Sequence, residues 1–231
     1  MDTAAELAHN GAANGVVVAA EHQTAGRGRR GTNWVSPPGA GLYFSVIVRP
    51  VVAVAKTGHS TLPLLTLAAG VGVRDGIAAA SGLRADLKWP NDLLVGRRKL
   101  AGILAEGIAI GSPQQSVIVG VGVNIQPAAY PADVAARATS IAGELGRPID
   151  REVLLDAILD ALSSRLAALD QNAGDILLAW RAASPSATGT RVEWDGRVGV
   201  TAGIDNTGAL LVKTSSDVER IIAGELHWQL E

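Results

Sequence analysis

An α+β fold is predicted for this chain, on three observations. Short β-branched segments bounded by glycine, proline and Asx-type turns alternate with apolar helical patterns through most of the chain. The stretch "ASPSATGT", residues 183–190, marks a shift in composition. Beyond it only short strand patterns follow, so the helices all belong to the first part. The division expected is a larger helix-and-sheet domain over 1–184 and a small all-β, barrel-like module over 185–231. A module that small is marginal alone and should pack on the larger domain.

The elements follow in order. "GVVVAAE" (15–21) reads as a short buried strand, and "GLYFSVIV" (41–48) as a second, entered from the turn signal "SPPGAG". Residues 62–80 read as a buried helix whose small residues would let it lie close on a sheet. "DLKWPNDLLV" (86–95) reads as two short strands around a Pro-Asn-Asp turn, because Pro90 drives Trp89 to be extended. Strands are expected over 99–106 and 115–125, the first entered from a hairpin turn at "GRR" (96–98). The clearest helix starts after Asp150, a plausible N-cap, with Glu152 in its first turn. Its apolar face is Leu154, Leu155, Ile158, Leu159, Leu162, Leu166 and Leu169. A further helix is expected over 174–183, and "DNTG" (205–208) reads as a hairpin turn.

Composition narrows the chemistry. The 231 residues carry a formal charge of −2, so nothing global attracts nucleic acid or an anionic membrane. There are no cysteines, which excludes thiolate nucleophiles and fits a reducing cytoplasm. The longest apolar run, residues 62–73, is too short to span a bilayer. The start of the chain lacks a signal-peptide pattern. The four histidines show no metal-ligand spacing, and no G-x-S-x-G is present.

Charge is distributed unevenly. From His22 through Arg74 there is no Asp or Glu, while Arg27, Arg29, Arg30, Arg49, Lys56 and Arg74 fall in that stretch. "HQTAGRGRRGTNW" (22–34) sets three arginines among glycines directly after a strand. Such a loop can wrap a small anion, with backbone N–H groups converging and guanidinium forks donating; a solvated loop or a nucleic-acid patch are its alternatives. Lys88, between Leu87 and Trp89, either snorkels to the surface or points into a site. Asn91 and Asp92 read equally as turn formers, and Lys99 reads as a surface residue. "VGVGVN" (119–124) leaves one strand face bare at Gly120 and Gly122, where a flat ring could lie, or a helix pack closely. Asn124, at the strand end, carries the donor and acceptor that suit a purine edge.

Taken together, "AEHQTAGRGRRGTNWVSP", "GLYFSVIVRP", "LKWPNDLLV", "RKLAGILAE" and "GVGVNI", in this order, resemble the biotin protein ligases of the type without an N-terminal DNA-binding domain. The likeness continues through "ATSI" into "GIDNTGALLV" and covers nearly the whole chain. It implies a class II synthetase-like mixed sheet flanked by helices, followed by an SH3-like barrel. It implies that biotin's carboxylate attacks the α-phosphate of ATP, with Mg²⁺ present, to give biotinyl-5′-AMP and pyrophosphate. A lysine of a biotin carboxyl carrier domain then takes the biotinyl group and AMP leaves.

By the same resemblance Gln23, Arg27, Gly28 and Arg29 contact biotin and adenylate, and Lys88 contacts the carboxylate and α-phosphate. Trp34 would cover the adenine, Asn124 read its edge, and Gly102 and Ile103 lie against the biotin rings, with Gly122 in the same pocket. The loop 27–34 would fold over the adenylate and be mobile without it. The family's Ser-Thr-Asn, which meets the ureido ring, aligns with Asp2-Thr3-Ala4, so only Thr3 is kept. No helix-turn-helix precedes it, so no operator binding is expected, and both monomer and homodimer stay open. A lipoate or octanoate ligase on the same fold is the nearest alternative; a turnover-deficient biotin- or nucleotide-binding protein is another.

Overall fold

The computed structural model describes residues 1–49, 62–110, 115–224 and 226–228, so Lys56 lies outside the described residues. Six strands form the main sheet: β1 (Val17–Ala20), β2 (Gly41–Val48), β3 (Asp86–Lys88), β4 (Asp92–Val95), β5 (Arg98–Ile108) and β6 (Ser116–Asn124). Their order is β1-β2-β6-β5-β4-β3. The alternating valines and the β-branched runs form the centre, and β2 is buried along its whole length. The pairings are antiparallel throughout, which corrects the expected mixed sheet. Strands β3 to β6 follow one another through short connections, and a short return reverses direction, whereas parallel neighbours need a long crossover.

The two faces of this sheet are covered differently. Val46, Val48, Val119, Val121 and Val123 belong to the main core, under α2 (Leu62–Ser81), α5 (Arg151–Gln171) and α6 (Ala173–Ala182) once α1 (Asp2–His9), α3 (Ala132–Ala135) and α4 (Ile141–Leu145) are numbered in sequence. Ile47 and Ile118 point to the other face, where Ala4 and Ala8 of α1 pack on them. Asp150 caps α5 as expected, accepting from the N–H groups of Glu152 (2.8 Å) and Val153 (3.1 Å). Leu154, Ile158 and Leu162 of the expected apolar face are fully buried, and the other four pack against the same core.

Helix α2 is long and apolar enough to cross a membrane, but here it is the core helix between the sheet and α5. It runs past the apolar stretch, through Arg74 and Asp75, because both charges find partners. Arg74 Nε donates to the Ala85 carbonyl at 2.9 Å, and Asp75 pairs with Arg165 at 2.6 Å. The expectation that its small residues face the sheet is met by Gly70, near Leu87 and Ile103, but not by Gly72 and Gly76. A methyl group on Gly76 would stand 2.4 Å from Ile158 Cα, and one on Gly72 2.7 Å from Leu162 Cα, so these two seat α5 instead. Gly76→Ala should destabilise the fold by about 1–3 kcal/mol in urea unfolding, the overpacking outweighing alanine's better helix propensity. A gain in stability would contradict this close helix crossing.

The C-terminal strands β7 (Thr188–Trp194), β8 (Arg197–Ile204), β9 (Leu210–Lys213), β10 (Val218–Ile221) and β11 (His227–Trp228) form a second antiparallel sheet, in the order β10-β9-β8-β7-β11. Among the described residues no pairing closes it into a barrel. It is tied to the rest of the fold by Trp89 Nε1, which donates to the Gly208 carbonyl (3.0 Å), and by Arg181 Nη2, which donates to that of Ile204 (2.8 Å).

The β8–β9 turn at "DNTG" is organised by Asp205. One oxygen accepts from Thr207 N, Thr207 Oγ1 and Ala209 N, and the other from Arg220. Burial works to raise this carboxyl's pKa, but the hydrogen bonds from Arg220, Thr207 and Ala209 win and hold it at about 2. A depressed carboxyl stabilises the fold above its unfolded pKa, and that contribution is lost as pH falls through the folded value. The chain should therefore lose about 2 kcal/mol between pH 5 and pH 2 that Asp205→Asn does not lose. Parallel pH–stability curves for the two proteins would refute this.

Candidate functional site

The open part of the α1-side face lies beyond α1, where the Gly-Arg loop covers it. The base of the loop is closed by Gln23 N donating to Ser36 Oγ (3.0 Å), and Ser36 Oγ donating back to the Gln23 carbonyl (3.1 Å). Within it, Trp34 N donates to Gly26 O (2.9 Å), Gly28 N donates to Thr32 O (2.6 Å), and Arg27 bridges Asn33 in antiparallel fashion. The tip turns at Arg30 and Gly31, both with positive φ. The loop is therefore a small hairpin lying over the sheet. Between the two is a cleft of about 160 Å³.

Gln23, Arg27, Gly28, Arg29, Trp34, Lys88, Gly102, Ile103 and Gly122 all line this cleft. The glycine face is not bare, however. The Trp34 indole lies on it so closely that a Cβ at Gly122 would stand 2.7 Å from the ring, and one at Gly102 3.0 Å. Met1 covers Gly120 in the same way. Ile103 contributes main chain, since its side chain is buried against α2. Thr3 is exposed on α1 and Asn124 is buried, and neither lines the cleft. Asn124 Nδ2 donates to the carbonyls of Lys99 (3.2 Å) and Thr139 (2.9 Å), so it braces the main chain behind the cleft.

The cations of the acid-free stretch divide sharply. Arg49 donates to the Ala8 and Ala12 carbonyls and fastens α1, and Arg74 serves α2 as described. The loop arginines face the cleft. Arg27 meets Asp2 at 2.6 Å and Glu106 at 3.3 Å, and the hydrogen bond it donates to Asp2 raises its already high pKa, against the opposing effect of burial. Arg29 Nη1 donates to the Gly224 carbonyl (3.3 Å), and Arg30 lies 3.8 Å from Asp195. The loop thus touches both the N-terminal helix and the C-terminal module. Lys88 points into the cleft rather than snorkelling away, with Nζ 4.9 Å from the centre of the Trp228 ring.

Lys99 corrects the sequence reading most clearly. It lines the cleft instead of lying on the surface, with Nζ 2.6 Å from Asp92 and 5.4 Å from the centre of the Trp34 ring. Strict alternation would put Lys99 and Gly102 on opposite faces. A bulge prevents this: Leu93 pairs with Ala101 but Leu94 pairs with Lys99, leaving Leu100 unpaired. Lys99 Cε then stands 3.1 Å from the Cβ position of Gly102, on the same face. Asp92, read equally as a turn former, is its ion partner. Among the described residues no group of three or more His, Cys, Asp or Glu side chains could cage a metal ion.

Known proteins share this sequence pattern and fold. Residues 2–124 match the model of the biotin/lipoate A/B protein ligase family. The bifunctional ligase/repressor BirA of Bacillus subtilis is 36% identical over 97% of this chain and 70% of its own length. A biotin--[acetyl-CoA-carboxylase] ligase of Mycobacterium tuberculosis is 37% identical over 97% of this chain and 83% of its own. The biotin protein ligase from Aquifex aeolicus, solved in complex with biotin and ATP, superposes with a TM-score of 0.83 at 26% identity, covering 98% of this chain and 94% of that one. The chain belongs to the biotin/lipoate A/B protein ligase family.

Proposed function

We propose that this protein activates biotin with ATP to biotinyl-5′-AMP and transfers the biotinyl group to a lysine of a biotin carboxyl carrier domain. The observation that carries the reading is the convergence of Arg27, Arg29, Lys88 and Lys99 on one cleft floored by Gly102 and Gly122. The reaction must bring a carboxylate to a triphosphate, and clustered cations in a partly enclosed site lower that repulsion and stabilise the charge of the transition state. The carboxylate oxygen forms a bond to the α-phosphorus and pyrophosphate leaves. The amine of the carrier lysine then attacks the acyl carbon and AMP leaves.

Within this reading, Lys99 and Lys88 neutralise the reacting carboxylate and phosphates, and Arg27 and Arg29 bind from the loop. Trp34 screens the mixed anhydride from water. Gln23, Gly28, Gly102, Gly122 and the Ile103 main chain shape the biotin end. Thr3 and Asn124 act from outside the cleft as placed here, Asn124 through the Lys99 main chain. Mg²⁺ would be held mainly by the triphosphate oxygens and would neutralise part of their charge. The partner is the carrier domain, the setting cytoplasmic, and the protein works as monomer or homodimer without binding nucleic acid; the net charge of −2 supports the last point.

The test is pyrophosphate release with ATP, Mg²⁺ and either biotin or lipoate, with the acyl-adenylate trapped. Biotin-dependent release is expected, and release with lipoate alone would replace the substrate. Lys88→Ala and Arg27→Ala should each lower the rate about ten- to a hundredfold in folded protein, the value of one charge-assisted hydrogen bond. Unimpaired rates in both would remove these two residues from the site.

A further inference from the structure

Strand β6 stops short of Lys99. Val123 pairs with Ala101, and Asn124 ends the strand on the β2 side, opposite Gly41. The place beside Lys99 is taken by residues 137–139, which form a parallel bridge from Ala138 to Lys99. Both main-chain groups of Lys99 are used there. Its N–H donates to the Arg137 carbonyl (2.6 Å), and its carbonyl accepts from Thr139 N (2.9 Å) and Asn124 Nδ2 (3.2 Å). A short segment thus clamps the residue next to the bulge.

That segment is itself held by Glu144 of α4. Glu144 Oε1 accepts from Thr139 Oγ1 and from Arg98 Nη2, the latter at 2.8 Å. The Glu144 side chain is only 15% exposed. An exposed ion pair counts for little, but a hydrogen bond to a charged, mostly buried oxygen is about twice as strong as a neutral one. Helix α4 gives the carboxylate a fixed base: Ser140 Oγ accepts from Gly143 N (3.2 Å), and Ala142 N donates to the Ile125 carbonyl (2.8 Å). Glu144 is therefore hydrogen-bonded both to the residue before Lys99 and to the segment that pairs with Lys99. This matters because a hairpin that slips by one residue turns its side chains to the other face. Without the bulge, Lys99 would fall on the face opposite Gly102. We infer that Glu144 is a positioning residue: by fixing Arg98 and residues 137–139 it holds the β4–β5 bulge in the register that turns Lys99 into the cleft. What Lys99 then does there rests on the function proposed above.

The experiment uses the full chain with Glu144→Ala and Glu144→Gln, each also combined with Lys99→Met. Glu144→Ala should lower kcat for biotinyl-AMP formation about ten- to a hundredfold, the worth of a hydrogen bond to a charged group, with KM for biotin and ATP nearly unchanged. Glu144→Gln should keep most of the rate, because an amide oxygen still accepts from both donors. In the Lys99→Met background, Glu144→Ala should add little. Isotope-edited NMR of lysine-labelled protein reads the same positioning without turnover. The Lys99 side-chain signal, identified by its loss in Lys99→Met, should be displaced by the Trp34 ring, whose centre is 5.4 Å from Nζ. In Glu144→Ala it should move toward the position of an exposed lysine, while the Lys88 signal, near the Trp228 ring, stays in place. If Glu144→Ala does not fold, Thr139→Val removes the same hydrogen bond from its other end and makes the same comparisons. An unmoved Lys99 signal, equal movement of Lys88 and Lys99, equal damage by Ala and Gln, or fully additive losses with Lys99→Met would each overturn the inference. An unaltered chain that forms no biotinyl-AMP would sink the proposed function, while the lysine spectra would still decide the role of Glu144.

Discussion

Lys99→Met is expected to lower biotin-dependent adenylate formation by about a hundred- to a thousandfold while the protein stays folded. Methionine keeps most of the stem that packs over Gly102 and loses only the charge. The effect should exceed that of Lys88 or Arg27 because of where the ammonium lies. Its nitrogen is held between Asp92 at 2.6 Å and the Trp34 ring, beside Gly102 on the cleft floor. A charge fixed in place before the substrates arrive needs no reorganisation as the transition state forms. Asp92→Asn should give a smaller loss, since it removes the orienting partner and leaves the charge. Rapid-quench measurement of biotinyl-AMP checks both. A Lys99→Met protein adenylating within a few-fold of the unaltered chain would place the reacting centre elsewhere in the cleft.

Trp89→Ala is expected to cost about 3–5 kcal/mol of stability, the range for truncating a buried aromatic side chain. Trp89 is 4% exposed, and its indole N–H is donated to Gly208 of the C-terminal module. One side chain therefore fills the main core and fastens the second sheet. Trp89→Phe separates the two contributions. It keeps most of the apolar volume and should recover all but about 1–2 kcal/mol, the value of a hydrogen bond whose buried acceptor loses its donor. Urea denaturation of both variants checks the ordering. A Trp89→Phe protein as unstable as Trp89→Ala would mean that the module is held mainly through this one hydrogen bond.

Much of the fold is legible in the sequence because it is set locally. Asp150 caps the helix that follows it, "DNTG" turns where Asp205 can accept from its neighbours, and Pro-Asn-Asp separates two short strands. The loop arginines read as anion binders, as a solvated loop or as a nucleic-acid patch, and only the folded chain sets them along the cleft. What stayed hidden depends on contacts between distant segments. Gly72 and Gly76 could face either sheet or helix until the path of the leucine-rich helix was known. Arg49 belongs to the acid-free stretch, yet it fastens α1. The glycine face looked open, and only the tertiary structure shows Trp34 and Met1 lying on it. The side to which Lys99 turns depends on a hydrogen-bond register that no single-residue propensity records.

That register has a consequence for how such an enzyme can vary. Leu100 is the unpaired residue that brings Lys99 round to the cleft. What it contributes to chemistry is therefore its place outside the ladder, not only its apolar side chain. A scan of substitutions at this position would report a core residue and nothing more. Removing the residue altogether would leave Lys99 two positions from Gly102, where plain alternation keeps both on one face, whereas adding one residue between Lys99 and Gly102 would turn the lysine away. The parity of the strand between them, counted without the bulged residue, is thus a functional quantity, visible to insertions and silent to point replacements.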